Sequence, residues 1–528
     1  MYKVKRTLLL ILCMAVMLTS LLTACGGSEN ATNSAAAISS STSAETSTVA
    51  QETTLPEVKL TWYVLSNSQP DDALVFAEAN KYIKDKINAT VEFYPLNQGE
   101  YNDKIKVKLA GQEPIDLVFT SSWLNPYNDN IAKGALLPID ELLDQYGAEL
   151  KASIPQKYWD MVKLKKIGDD KAKIYGVPNY QIEASVNGLA FRKDLAEKYN
   201  LVDAINNMKN YDDLTPILNT IKENEKSVFP LIDANLTPEG KYDLTTEAYK
   251  YASVANGIAG ATIDIDTFKV AGLDDPTLNA TELKLAQIRR DWYLKNYIDK
   301  NAITGNVDLE PYKKQGKVFA YLLGACKPGV EIEEKTKYGY DIIAKQTRAP
   351  MTSVGQVTAT MNAIPNSSKN PERAMMLLNL VNTDKYLYNL LNFGIEKTHY
   401  TKIDENTIEI LKDSKFNPSM AWALGNQFNA FVQKGQPADV WELTKKLNEN
   451  AISSPIEGFS FNSEPVKTEI AQMTTTGLKY DKIILNGAAD PVKTIEKRNK
   501  ELSINDNWKK VAAEVQKQLD EWKAANVK

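Results

Sequence analysis

The chain has 528 residues, 43% apolar and 24% charged, with a net charge of −5. That length at ordinary globular composition exceeds one hydrophobic core and implies two or more lobes. Acids and bases are mixed along the chain, and no basic block or basic–aromatic stripe appears, which argues against a nucleic-acid partner.

In chain order, Lys3, Lys5 and Arg6 precede an apolar run, Leu8 to Leu22, broken by Thr19 and Ser20. Small Ala24 follows, then Cys25. This is the pattern of a secretory signal, and its apolar part is shorter than the roughly 20 residues of a membrane span. Leu22-Thr23-Ala24-Cys25 resembles the lipobox of bacterial lipoproteins. The resemblance implies a signal over 1–24, a lipidated Cys25 as first mature residue, and a place on the outer face of the cell membrane. A plain signal peptide or an uncleaved anchor is the alternative. Residues 25–56, opened by Cys25 and rich in Ser, Thr and Ala, have too little apolar surface to fold and read as a disordered tether. As a flexible coil the tether reaches about 30 Å.

The folded body begins near Glu57. Val58–Leu65 is rich in strand formers, Ala73–Ile87 has helical spacing, Ala89–Tyr94 is a strand, Tyr101–Leu109 a helix closed by Gly111, and Asp116–Thr120 a short apolar strand. The alternation implies βαβ units and a mostly parallel sheet, with ligands beyond the carboxyl ends of its strands. Ser185–Phe191 reads as a strand, then helices dominate, among them 245–256, 283–298 and 310–317. Lys317–Leu322 and Gln356–Ile364 read as strands, Asn370–Asn382 and Asp384–Asn392 as helices. Asn505–Ala525 reads as an amphipathic helix carrying Trp508, Val511, Val515, Leu519 and Trp522.

Chemistry is restricted. His399 is the single histidine, so any triad or multi-His metal site would have to run through it. With Cys13 in the signal and Cys25 lipidated, Cys326 is alone and cannot form an intramolecular disulfide. No phosphate loop, zinc motif or nucleophile elbow is present, and no cofactor or metal is expected. Carboxylate-only chemistry stays open.

Several phrases together resemble the sugar-binding proteins of ABC importers. They are Tyr175-Gly176-Val177-Pro178 with Asn187–Leu195, Asp116–Phe119 with its polar–aromatic loop, and Asn362-Ala363-Ile364-Pro365 with Asn370–Ala374. Asn392–Tyr400, Gly458–Phe461, Asp490-Pro491 and Glu514–Trp522 resemble a C-terminal domain of unknown function carried by one subgroup of extracellular solute-binding lipoproteins. Lys397 and Ser503-Ile504-Asn505 depart from the glycine-richer pattern of that subgroup. The resemblance implies a two-lobed α/β periplasmic-binding-protein-like fold (type II), lobes joined by a multi-strand hinge, with a helical C-terminus. It divides the chain into lobe 1 (57–182 plus about 345–400) and lobe 2 (183–344 plus about 401–455), with a C-terminal region over about 385–525 contributing to both. It implies a monomer that is not an enzyme and delivers its ligand to an ABC permease.

A sugar site needs flat aromatics and a rim of hydrogen-bonding groups. Trp123, in a polar loop at a strand's carboxyl end, is the first candidate, with Ser121 and Ser122 beside it. Asn67 lies in the first loop. Tyr180, Glu183 and Asn187 sit on the crossover, where Glu183 is a lone acid among apolar neighbours and needs a partner. Tyr321, Gln356, Trp422, Phe459 and Phe461 complete the set, with core packing the competing role for the aromatics and turn capping for the serines. The function expected is capture of an oligosaccharide. A two-carboxylate surface glycosidase and a binding protein for peptides or another non-sugar solute are the alternatives.

Overall fold

The computed structural model describes residues 55–527 apart from 167–168, 233–250, 255–259, 301–309 and 348. The signal, Cys25 and nearly all of the tether lie outside the described residues, as does most of the helix expected over 245–256. Of that helix, Tyr251–Ser253 is a strand.

The first lobe is built on a five-stranded sheet, in the order Ala89–Leu96, Val58–Leu65, Leu117–Thr120, Met361–Ala363, Val177–Pro178. The first three strands run parallel and the last two join antiparallel. Helix Asp72–Ile87 buries Val75, Ala79 and Ile83, one per turn, as its apolar spacing requires. Tyr101, on helix Gln98–Ala110, donates its hydroxyl to the Tyr63 carbonyl (2.8 Å) and accepts the Phe119 N–H (2.7 Å), tying that helix to two strands.

The second lobe has a four-stranded sheet, in the order Ile342–Gln346, Gly188–Arg192, Val318–Leu323, Phe229–Ile232. Phe191, Leu218, Trp292 and Phe319 fill its core. Gly188 permits a close approach: a Cβ there would stand 2.6 Å from Cys326 Cβ. Three C-terminal helices, Lys467–Leu485, Pro491–Leu502 and Asn507–Asn526, follow. Val511, Val515 and Leu519 of the last share a core with Ala261, Ile263 and Leu273 of the second lobe.

The lobes are joined by three short strands, Ala184–Ser185, Met351–Thr352 and Ile452–Ser453, which pair in one small sheet. The chain therefore crosses three times, and two expectations change. Residues 401–430 belong with the first lobe, because Tyr400, Ile408, Phe416, Leu424 and Ala430 are in its core. The strand expected over 356–364 is a short helix, Val354–Val357, followed by strand Met361–Ala363. Ser353 caps that helix by accepting the Gln356 N–H, and Thr358 closes it onto the Val354 carbonyl.

Candidate functional site

The loop after strand Leu117–Thr120 is shaped by its own polar side chains. Ser121 Oγ accepts the N–H groups of Trp123 (3.2 Å) and Leu124 (2.7 Å), and Thr120 Oγ1 donates to the Asn125 carbonyl. Asn125 takes the left-handed conformation (φ 48°) that Asn tolerates, and its amide donates to Phe119 O. The loop thereby turns Trp123 outward. Its indole is 44% exposed. Its Nε1–H donates to the Ala359 carbonyl at 2.8 Å. Ser122 binds the same neighbouring segment, through Oγ to Gly355 O (2.9 Å) and N–H to Thr358 O (2.8 Å).

Trp422 stands beside Trp123, ring centroids 6.4 Å apart and planes at 42°. Phe119 backs both, edge-on to Trp422 at 6.1 Å. The Trp422 carbonyl accepts from the amides of Asn179 (3.3 Å) and Gln181 (3.1 Å), so the crossover holds this aromatic in place. Gln181 also reaches Thr360 Oγ1 at 2.6 Å. The result is a flat aromatic wall with amide and hydroxyl groups at its edge, the mixture that recognises a ring with one apolar face and a polar rim.

The hinge lies next to this wall. Tyr180 packs between Tyr158 and Phe428, at 5.8 and 4.6 Å. Glu183 is 2% exposed. Its Oε1 accepts the Gln181 N–H at 3.2 Å. Burial pushes its carboxyl up to about 8, against a smaller downward pull from Gln181 N–H and Lys157. Asn448 holds the surrounding backbone: Oδ1 accepts the N–H groups of Glu183 (2.8 Å) and Ala184 (3.3 Å), and Nδ2 donates to Gln181 O (2.6 Å).

Of the residues expected at a site, Ser122, Trp123 and Trp422 thus come together, with Tyr180 and Glu183 at the adjoining hinge, and Gln356 lies in the 355–359 segment to which Ser122 and Trp123 bond. Asn187 follows at the start of the second lobe, its carbonyl accepting both the N–H and the hydroxyl of Thr347. Three of the expected residues take the competing role given for them. Ser121 is buried and its hydroxyl is used inside its turn. Tyr321 is core: buried, with its hydroxyl donated to Glu334 at 2.6 Å. Phe459 is core of the C-terminal region, 6.0 Å from Trp522. Asn67 is exposed, and its carbonyl accepts from Gln69 within the same loop. Phe461 is buried but borders a cavity between the first lobe and the C-terminal region. Asn179, Gln181 and Asn448 were missed. For Asn179 and Gln181 the signal available was polarity inside an apolar stretch; Asn448, among Lys445, Lys446, Glu449 and Asn450, offered none.

His399 is structural. Its Nδ1 accepts the Ile395 N–H at 2.8 Å, which leaves the proton on Nε2, donated to Asp71 at 3.1 Å, and the ring is fully buried. Among the described residues no group of three or more His, Cys, Asp or Glu is placed to hold a metal ion, and no helix is long and apolar enough to cross a membrane.

Comparisons with known proteins agree with this architecture. The family described as "Bacterial extracellular solute-binding protein" matches residues 66–387, and a domain of unknown function (DUF3502) matches residues 455–524. A carbohydrate ABC transporter substrate-binding protein of Streptococcus pneumoniae serotype 4 is 30% identical over 457 residues, covering 85% of this chain and 87% of that one. The crystal structure of the N-glycan transport solute binding protein of Streptococcus pneumoniae in complex with Man1GlcNAc superposes with a TM-score of 0.76 at 26% identity, covering 88% of this chain and 99% of the other. The same protein with Man5GlcNAc gives 0.74 at 25% identity, covering 89% and 99%. The fold is the two-lobed type II architecture, and the chain belongs to the family of bacterial extracellular solute-binding proteins.

Proposed function

We propose that this protein captures an oligosaccharide against the Trp123–Trp422 wall and delivers it to the permease of an ABC importer, while a lipid on Cys25 keeps it at the outer face of the membrane. The single observation that carries the reading is the exposed Trp123 indole, fixed by its bond to Ala359 and flanked by Trp422. A large aromatic held rigid yet open to solvent costs little to order when a sugar face stacks on it. Similarity to a protein crystallised with Man1GlcNAc and Man5GlcNAc supports a mannose- and N-acetylglucosamine-containing ligand. Ser122, Gln356 and Tyr180 are the polar groups assigned to the ligand's rim. Ligand contact with both lobes would favour a closed arrangement about the three hinge strands.

The test is a thermal-shift panel of glycans and peptides on the mature protein. A ligand at 100 times its Kd adds about 2.7 kcal/mol, so a mannosyl glycan is expected to raise the melting temperature and peptides are not. Stabilisation by peptides alone, or shortened glycan products after incubation, overturns the reading. Metabolic labelling with a fatty acid, lost in Cys25→Ser, tests the anchor.

A further inference from the structure

We infer that the seam between the first lobe and the C-terminal region is a second saccharide subsite, taking the distal units of a longer glycan whose near end lies on the Trp123–Trp422 wall. This rests on the function proposed above.

The C-terminal segment leaves hinge strand Ile452–Ser453 and comes against the first lobe, where Ser460 Oγ accepts the Asn128 amide at 3.3 Å. Asn128 is five residues beyond Trp123, in the first turn of the helix Tyr127–Ala132 that follows the tryptophan's loop. Behind this contact is a cavity. Asn128, Lys165 and Lys166 line one side of it, and Phe461, Asn462 and Glu464 the other. Amide and ammonium groups lining a cavity beside an aromatic ring are groups that bind sugar hydroxyls, while the Glu464 carboxylate is paired with Lys467.

The two walls differ in stiffness. Asn462 gives its N–H to Gln518 Oε1 and its carbonyl to Gln518 Nε2, both at 2.9 Å, and its own Oδ1 accepts the Glu464 N–H. Gln518 belongs to the last helix, so the C-terminal region presents a fixed edge. Across the seam, by contrast, the Asn128–Ser460 bond is long and solvent-exposed. Such a bond is readily exchanged for a ligand hydroxyl, because water competes with it already. The role assigned to the C-terminal region is therefore half of a subsite that discriminates by glycan length.

The experiment measures Man1GlcNAc and Man5GlcNAc binding by calorimetry, for the mature protein, Asn128→Ala and the double variant Lys165→Ala/Lys166→Ala. All three changes are at surface side chains, and matched melting curves confirm folding. The expected result is about a tenfold weaker Man5GlcNAc affinity in each variant, with Man1GlcNAc affinity unchanged. Equal losses on both glycans, or no loss on either, overturn the subsite while leaving the proposed function standing. Parent protein that binds neither glycan overturns both.

Discussion

Trp123 and Trp422 come from segments about three hundred residues apart in sequence, yet their rings stand 6.4 Å apart: Trp123 is held by one bond, from its indole N–H to the Ala359 carbonyl, and Trp422 by two, received at its own carbonyl from Asn179 and Gln181. The pair is anchored from behind and open in front.

Replacing Trp123 by Ala should remove the stacking surface with little effect on folding, since much of the ring faces solvent. A loss of about 2 kcal/mol in glycan affinity, near thirtyfold, is expected in calorimetry. Trp123→Phe keeps an aromatic face but loses the bond to Ala359, and should fall between. An alanine variant that binds as well as the parent would remove Trp123 from the site.

Asn448 satisfies three buried backbone groups of the hinge with one side chain. Asn448→Ala orphans them, and each unpaired buried group costs about 1–3 kcal/mol. A drop of about 2–4 kcal/mol in urea-measured stability is expected. Asn448→Asp, which also loses the donor to Gln181 and adds an acid beside Glu183, should be no better. Stability within experimental error of the parent would mean that the hinge backbone finds other partners.

Glu183 predicts a pH dependence. Its carboxyl is raised from the ordinary glutamate value to about 8 in the folded state, chiefly by burial. Between the two values the native protein holds a proton that the unfolded chain has released. The native state's advantage from this group is thus complete below the ordinary glutamate range and is lost as pH rises towards 8. Glu183→Gln imitates the neutral acid and still accepts the Gln181 N–H. Its melting temperature should exceed the parent's at pH 8 and converge with it near pH 4.5. Parallel melting-temperature curves across that range would show that this carboxyl titrates normally.

Lys397 sits at φ 66°, in the left-handed region, with its N–H bonded to Tyr400 O at 2.7 Å. A side chain there costs about 1–2 kcal/mol that glycine avoids, less the extra freedom glycine has when unfolded. Lys397→Gly should raise stability by up to about 1 kcal/mol in a chemical melt. A destabilised variant would place the value of Lys397 in its side-chain contacts instead.

The departures from the sequence reading have physical causes. Elements of the first lobe were legible from residue type and period: Val58–Leu65 is rich in strand formers, with its second half buried on both faces, and Asp72–Ile87 repeats on the helical period. The stretch after Met351 was not, because Ser353 and Thr358 decide it by capping a single turn, a choice that apolar periodicity does not encode. Residues 401–430 were expected in the second lobe because a short hairpin carries no record of which core it joins. The exposure of Trp123 was legible from its polar surroundings. Tyr321 was carried as a candidate with core packing as its competing role, and alternation with Phe319 already pointed to the core, where the structure places it. Glu183 was marked as an acid needing a partner, and the structure meets that need with one backbone N–H, from Gln181, while burial favours the neutral acid.

The hinge has an odd number of strands. A chain that crosses three times ends on the lobe where it did not begin, so Val58 lies in the first lobe and the helix ending at Asn526 packs with the second. A tether running into Val58 would hold one lobe alone, leaving the other, with the C-terminal helices, as the swinging arm. The distance between these two points becomes a built-in gauge of opening: dyes placed beside Val58 and Asn526 would read the angle between the lobes, and a bound glycan would register as a change in energy transfer between them.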